Sequence, residues 1–398
     1  MYTMKSRLWN RFFLCACIIS LLTGLAMNML NSTLAKYIFS RYGTASFSGI
    51  LNAAFAVMAI LARLFSGDLS DRRGRRPVIV LGCGIFALSV LGFGLFPYAA
   101  LLVLFRGFQG FGYSMSTTAN YAAGSDVLPE SRMGEGIGYL GLGFSLAMAI
   151  GPAIALAIVG EGRYMPMFML TTALLVLSLI LGLFNRYEQA PSYQTHTPEK
   201  LPFGLPRFLE KAALPATLIQ LMNCLSLAAI NSFIVLYAES VGITGTAMFF
   251  TCMAAAMCLT RLFSGRLTDK LGVITVIAPS LLLGICGFAL LIFFHSNAIF
   301  YLVGFLIGLS SGTINPVLQA TAVKASPPDR RGAATGTYQI SNDLGNGLGA
   351  VLWGIIIDLL GYTATFIGCI LTLTAALILL ILLFRTSSRS KHMTTPFV

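Results

Sequence analysis

The sequence predicts an all-α integral membrane protein of twelve transmembrane helices, arranged as two homologous six-helix halves. Three observations predict it. Of 398 residues, 57% are hydrophobic and only 10% are charged, and the mean hydropathy is +0.82. A soluble domain carries about 25% charged residues, so this chain cannot coat itself for water. That excludes a soluble enzyme on one anchor, a disordered chain and a disulfide-stapled secreted domain. Next, the apolar runs reach about 20 residues, enough to cross a core of about 30 Å at 1.5 Å per residue. Barrel strands would alternate polar and apolar over roughly 10 residues. Finally, one segment recurs far along the chain at a fixed offset, as set out below.

In chain order the runs cover 11–34, 45–66, 77–96, 99–122, 134–158, 164–185, 212–236, 246–265, 273–294, 297–321, 333–358 and 362–384. Lys5, Arg7 and Arg11 precede the first run in the manner of a signal peptide. Its length, and the eleven runs that follow, make it a retained helix. The longest polar stretch, 186–211, holds Pro191, Pro198, Pro202 and Pro206, which cannot continue a membrane helix. It divides the runs six and six. The expected halves are 1–185 and 212–398, the second ending in a short tail, joined by a cytoplasmic linker at 186–211.

The net charge of +12 comes from 26 Lys and Arg against 14 Asp and Glu. The basic residues cluster in alternate loops. With the N-terminus inside, only Lys36, Arg41 and Arg163 fall outside, whereas Arg72, Arg73, Arg75, Arg76, Arg266 and Lys270 are among the many inside. The excess therefore reports orientation, with both termini cytoplasmic, and not nucleic-acid binding. The eight cysteines all lie in apolar runs and form no metal-ligating spacing, so they are read as small packing residues.

The repeat lies at 62–74, ARLFSGDLSDRRG, and 260–272, TRLFSGRLTDKLG. The offset is 198, and eight of thirteen positions are identical, from Arg63/Arg261 to Gly74/Gly272. The same offset aligns Gly110 with Gly308, Pro129 with Pro327 and Gly134 with Gly332. One offset across three places means a duplicated half, which is transporter architecture.

Within the repeat, Gly67 permits close helix approach. Asp71 is a carboxylate placed to meet a helix N-terminus or an Arg across the halves. The run Gly67-Asp-Leu-Ser-Asp71-Arg72-Arg-Gly74-Arg75-Arg resembles the loop signature that follows the second helix in the major facilitator superfamily. Its degenerate copy carries Gly265, Asp269 and Gly272, and the likeness spans essentially the whole chain. The resemblance implies two six-helix bundles rocking about a central site, with these residues as a gate latch. The loop from Asp126 to Gly134, with Glu130 and Arg132, resembles a companion that joins the same charge network.

Arg106 lies inside the fourth run. Arginine there costs about 2.5–3.5 kcal/mol on insertion scales, so it is expected to face a cavity and serve function. Gln109, Tyr113, Thr117 and Asn120 continue its helical face. Gly143, Gly151 and Pro152 in the fifth run resemble the family's antiporter signature, without its final glycine pair, and are read as a hinge. Asp343 is the acidic residue deepest in any apolar run, on one face with Gln339, Asn342 and Asn346. Desolvation there favours proton binding, so Asp343 is expected to carry the coupled proton, and Arg106 is also expected to take part in proton coupling. Asn31, Asn223, Asn315 and Gln319 are expected to line the cavity with Gln109, Tyr113, Asn120, Gln339 and Asn342.

Gly136-Ile-Gly138-Tyr-Leu-Gly141 fits a dinucleotide fingerprint in spacing, but it follows a charged loop, not a strand. With no nucleophile–base pair, an enzyme is not expected. The reading is proton-coupled efflux, by antiport, of a small organic molecule such as a drug or metabolite. No cofactor is expected, the proton gradient being the driving force. The expected partners are the substrate and the lipid bilayer, for a monomer in a bacterial cytoplasmic membrane. An uptake symporter or facilitator, and a transport-inactive sensor, are the alternatives.

Overall fold

Apolar runs this long fold as helices in lipid because only a helix satisfies every backbone N–H and C=O within one segment. The computed structural model describes residues 8–42, 46–160, 162–186, 188, 208–243, 246–294 and 296–392. Among them there are helices and turns and no strands. The N-terminal half holds α1 (Arg11–Tyr42), α2 (Ser46–Arg73), α3 (Arg75–Leu95), α4 (Ala99–Asp126), α5 (Met133–Val159) and α6 (Tyr164–Phe184). The C-terminal half holds α7 (Leu214–Ser240), α8 (Thr246–Leu271), α9 (Val273–Phe293) and α10 (Asn297–Ala325). A last helical span, Arg331–His392, turns over at Gly361, where φ is 80°, and so comprises α11 (331–360) and α12 (362–392). The expected linker falls largely outside the described residues, since 187 and 189–207 are not described.

Ten spans are long and apolar enough to cross a membrane, the last of them, Pro328–Leu383, running through α11 and into α12 as far as Leu383. The remaining helix, α4, has its mean apolarity lowered by Arg106, Gln109, Tyr113 and Asn120. Among the described residues the twelve α-helices match the twelve apolar runs, but several extend past them. The largest difference falls on the signature segment, which is helix and not loop. Gly67 to Arg73 forms the last two turns of α2, and the chain breaks only at Gly74, with φ 92°. The copy behaves alike, with α8 running to Leu271 and Gly272 at φ 88°. A positive φ strains any L side chain, so the reversal falls on the glycine. The polar turns before it remain helical because a helix bonds itself in water or lipid alike.

The repeat extends to three-dimensional contacts. A Cβ on Gly110 of α4 would lie 2.2 Å from the carbonyl oxygen of Phe55 in α2. A Cβ on Gly308 of α10 would lie 2.3 Å from that of Met253 in α8. Both members of each pair are 198 apart. Each half has its own core, built around Phe86, Phe93 and Phe168 in one and Phe249, Phe288 and Phe300 in the other. Leu88, Leu177, Phe293 and Leu371 project from the outer surface, as suits a protein whose outer solvent is lipid.

Candidate functional site

The halves meet through α2 against α11 and α8 against α5, at the end bearing the basic loops. An α-helix leaves its first N–H groups unbonded and presents a partial positive charge there. Asp71 of α2 accepts hydrogen bonds from the N–H groups of Gly332 (2.9 Å) and Ala333 (2.8 Å) at the start of α11. The helices touch so closely that a Cβ on Gly67 would lie 2.7 Å from the Gly332 carbonyl oxygen. Arg75 holds Asp71 at 2.5 Å and Asp126 at 3.1 Å. Arg331 lies 3.9 Å from Asp126 and 3.6 Å from Glu130.

The second contact repeats the first at the 198 offset. Asp269 of α8 accepts from the N–H of Glu135 at the start of α5 (3.3 Å). A Cβ on Gly265 would lie 2.2 Å from the Gly134 carbonyl oxygen. Lys324 pairs with Asp269 at 2.6 Å, and Arg266 and Arg132 each pair with Glu135 at 2.7 Å. Both contacts are made in this conformation, so the basic end is shut.

Arg72 departs from its expected place in this network. It pairs with Asp68 one turn back on α2, at 2.7 Å and partly exposed, because its position on the helix faces away from α11. Arg132 serves the α5 contact, not the Asp71 one. Glu188 was not singled out by the sequence. Its carboxylate accepts from the N–H of Arg75 at the start of α3 (2.6 Å). Burial raises its pKa, and the Arg75 N–H opposes that shift.

Asp71→Asn should keep the fold and weaken the cap, since the amide loses the charge attracted by the helix terminus. The expected loss is about 1–2 kcal/mol of the closed state, on the order of tenfold in the closed-to-open ratio. Spin labels at Arg73 and Lys270 would read it as a longer distance population, with slower turnover. An unchanged distance distribution would remove the latch role.

Asp343 is not isolated. Arg63 of α2 donates to Asp343 and to Gln339 of α11, an ion pair across the halves. Thr118 of α4 donates to the same Gln339 oxygen at 3.0 Å. The Arg63 and Asp343 side chains are 6% and 20% exposed, so the carboxylate remains reachable. The partner of Asp343 is thus Arg63, which the sequence marks only as part of the repeat, while Arg106 lies in a separate cluster. The repeat carried a signal for it, since Arg63/Arg261 is an intramembrane arginine kept in both halves. Arg261 donates to the Gly141 carbonyl of α5. The offset puts Ser145 where Asp343 would stand, and the Arg261 Nε and Ser145 Oγ are buried without a partner.

Arg106, 2% exposed, donates to Oε1 of Gln109 (2.9 Å), Oδ1 of Asn31 (2.8 Å) and Oδ1 of Asn52 (3.2 Å). Its guanidinium lies 4.6 Å over the Phe55 ring. Among the described residues no carboxylate pairs with it. Asn31 and Asn52 are exposed. In the other half Asn342 accepts from Gln220 (2.8 Å), Cys224 (3.1 Å) and Asn315 (3.2 Å).

Of the residues expected in the cavity lining, Gln109, Asn120, Gln319 and Gln339 are buried between helices, and Asn223, also buried, lines a small cavity with Ser226, Ser310 and Ser311. A membrane helix satisfies a polar side chain most readily on a neighbouring helix. Asn120, for example, ties α4 to the Ala16 carbonyl of α1 at 2.9 Å. Tyr113 packs between Phe55, whose ring is tilted to it, and Phe86, which it meets edge-on. Gly143 and Gly151 seat α5 on α1, where added Cβ atoms would lie 3.0 Å from the Leu21 nitrogen and 3.1 Å from the Asn28 Cβ. The helix runs unbroken through Pro152.

The family model of the Major Facilitator Superfamily matches residues 16–215 and again 216–397. The chain is 27% identical over 342 residues to Multidrug resistance protein 2 of Bacillus subtilis, covering 82% of this chain and 84% of that one. It is 23% identical over 325 residues to the quinolone resistance protein NorA of Staphylococcus aureus, covering 79% and 82%. The solved FucP transporter in its outward conformation superposes with a TM-score of 0.80 at 16% identity, covering 94% and 98%. A duplicated six-helix bundle, a repeated signature that builds two pseudosymmetric contacts, and a family match to each half in turn establish that this chain belongs to the Major Facilitator Superfamily of membrane transporters.

Proposed function

We propose that the protein exports a small organic molecule from the cytoplasm in exchange for protons, with both termini cytoplasmic in the cell membrane. The observation that carries this reading is the Arg63–Asp343 ion pair. It joins the two halves, and one member is a partly exposed carboxylate within the membrane span. The sequence likeness to multidrug and quinolone resistance proteins supports the outward direction.

The basic end is closed, so the opposite end is where Asn31, Asn52 and Asn231 stand exposed. A proton entering from that side neutralises Asp343. The carboxyl then no longer holds Arg63, and the shut end loses the one cross-half charge pair that a proton from that side reaches, and opens. Cargo binds from the cytoplasm, the proton leaves there, and the restored carboxylate recaptures Arg63. The basic end closes again with the cargo facing outward. Each 100 mV of membrane potential adds about 2.3 kcal/mol per proton.

Asp343→Asn copies the protonated state. It is expected to abolish pH-jump-driven accumulation in inverted vesicles while equilibrium cargo binding persists. Coupling at the wild-type level in that variant would take Asp343 out of the mechanism.

A further inference from the structure

The charges inside the gates do not balance. Among the described residues, Arg63, Arg106 and Arg261 are buried there, and Asp343 neutralises only the first. A buried charge is strongly disfavoured unless something pairs with it. Arg106 is held by oxygen acceptors that are all neutral amides.

The orientation of those amides is forced. A guanidinium has five N–H donors and no acceptor, so Asn31, Asn52 and Gln109 must each turn an oxygen toward it. Their NH₂ groups then face away. The Gln109 Nε2 and the Arg106 Nε are buried with no partner, while Asn31 and Asn52 stand at the exposed side. In lipid an exposed amide would leave its N–H groups unbonded, so this side opens on water. The site thus holds a buried cation with unpartnered donors at its Nε and at the Gln109 Nε2, and with the Asn31 and Asn52 amides at its exposed edge. An aromatic wall of Phe55, Tyr113 and Phe86 lies beside it. A cationic cargo would meet like charge here, and a neutral one would leave the charge uncompensated.

We propose that Arg106, with the amide groups of Asn31, Asn52 and Gln109, binds the carboxylate of an aromatic or apolar organic acid, which is the class of cargo. This rests on the export reading for its meaning as cargo, but the binding site stands on its own geometry. The Asp343–Arg63 pair remains free for the proton, so cargo and proton use separate sites, the cargo at the Arg106 guanidinium and the proton at the Asp343 carboxylate.

The test uses the purified full-length chain and three matched probes: 1-naphthoate, 1-naphthamide and 1-naphthylmethylamine. Naphthoate is expected to raise the thermal unfolding temperature, whereas the amide and the amine leave it unchanged. Arg106→Gln should weaken naphthoate binding on the order of tenfold or more, the change expected for a lost charge-assisted hydrogen bond. Asn52→Asp places a carboxylate beside the guanidinium at an exposed position. It should stabilise the protein without ligand and abolish the response to naphthoate. Stabilisation by the amine above the carboxylate, a naphthoate response that survives Arg106→Gln, or no gain in stability from Asn52→Asp would each overturn the proposal. In proteoliposomes, wild-type protein that binds naphthoate but moves none of the probes would count against the export reading alone.

Discussion

Arg63→Ala is expected to destabilise the closed conformation by roughly 3 kcal/mol and to abolish proton-driven transport. Removing one partner of a buried ion pair leaves the other charged and uncompensated, at about 3–5 kcal/mol. The partial exposure of Asp343 places the value at the low end. The double variant Arg63→Gln with Asp343→Asn removes both charges and can keep an amide–amide hydrogen bond. It should recover most of the thermal stability of the wild type and none of the pH response. Unfolding in detergent and pH-jump uptake separate the two effects. A double variant that regained coupling would show that the pair is structural. A single Arg63 variant with wild-type stability would show that the pair contributes nothing to closure.

Gly265→Ala should prevent the basic end from closing. Its Cβ would stand 2.2 Å from the Gly134 oxygen and 2.4 Å from the Glu135 nitrogen, both backbone atoms that cannot turn aside. Helices α8 and α5 must therefore separate, and turnover is expected to fall by tenfold or more, since a close-packed contact does not absorb a methyl group. Gly67→Ala, at 2.7 Å from the Gly332 oxygen, should act in the same direction and less severely. Gly272→Ala is the control. It meets open space but has φ 88°, so it should cost about 1–2 kcal/mol of stability without opening the gate. Distances between spin labels at Arg73 and Lys270 would rank the three. Equal distributions for Gly265→Ala and wild type would contradict the steric account.

Much of this architecture was legible in sequence because its causes are local. Run length against bilayer thickness gave the twelve helices, and a constant offset gave the two halves. The site was less legible. Arg106, Asp71 and Asp343 stood out because a charge in an apolar run is costly wherever it lies. Their partners could not be read the same way. Arg63 sits in a segment already accounted for by its glycines and aspartates, and only folding brings it 280 positions along the chain to Asp343. Glu188 lies in a polar stretch with no periodicity to mark it. Asn120 and Gln319 share a helical face with true cavity candidates, yet face other helices, because helical spacing specifies a face and not what covers it.

The sequence by itself determined the membrane as solvent, the helix count, the duplication and the places where only glycine fits, since each follows from composition, length or repetition. Tertiary structure decided which charges meet. Among the described residues, it put Asp71 and Asp269 each on the N-terminus of a helix in the other half, gave Asp343 to Arg63, and left Arg106 and Arg261 without carboxylates. Pairing across the halves depends on how two bundles dock, and docking is set by many weak packing contacts at once. Two copies of one motif therefore came to differ. The offset partner of Asp343 is Ser145, so where Arg63 meets a carboxylate of the other half, Arg261 meets the Gly141 carbonyl.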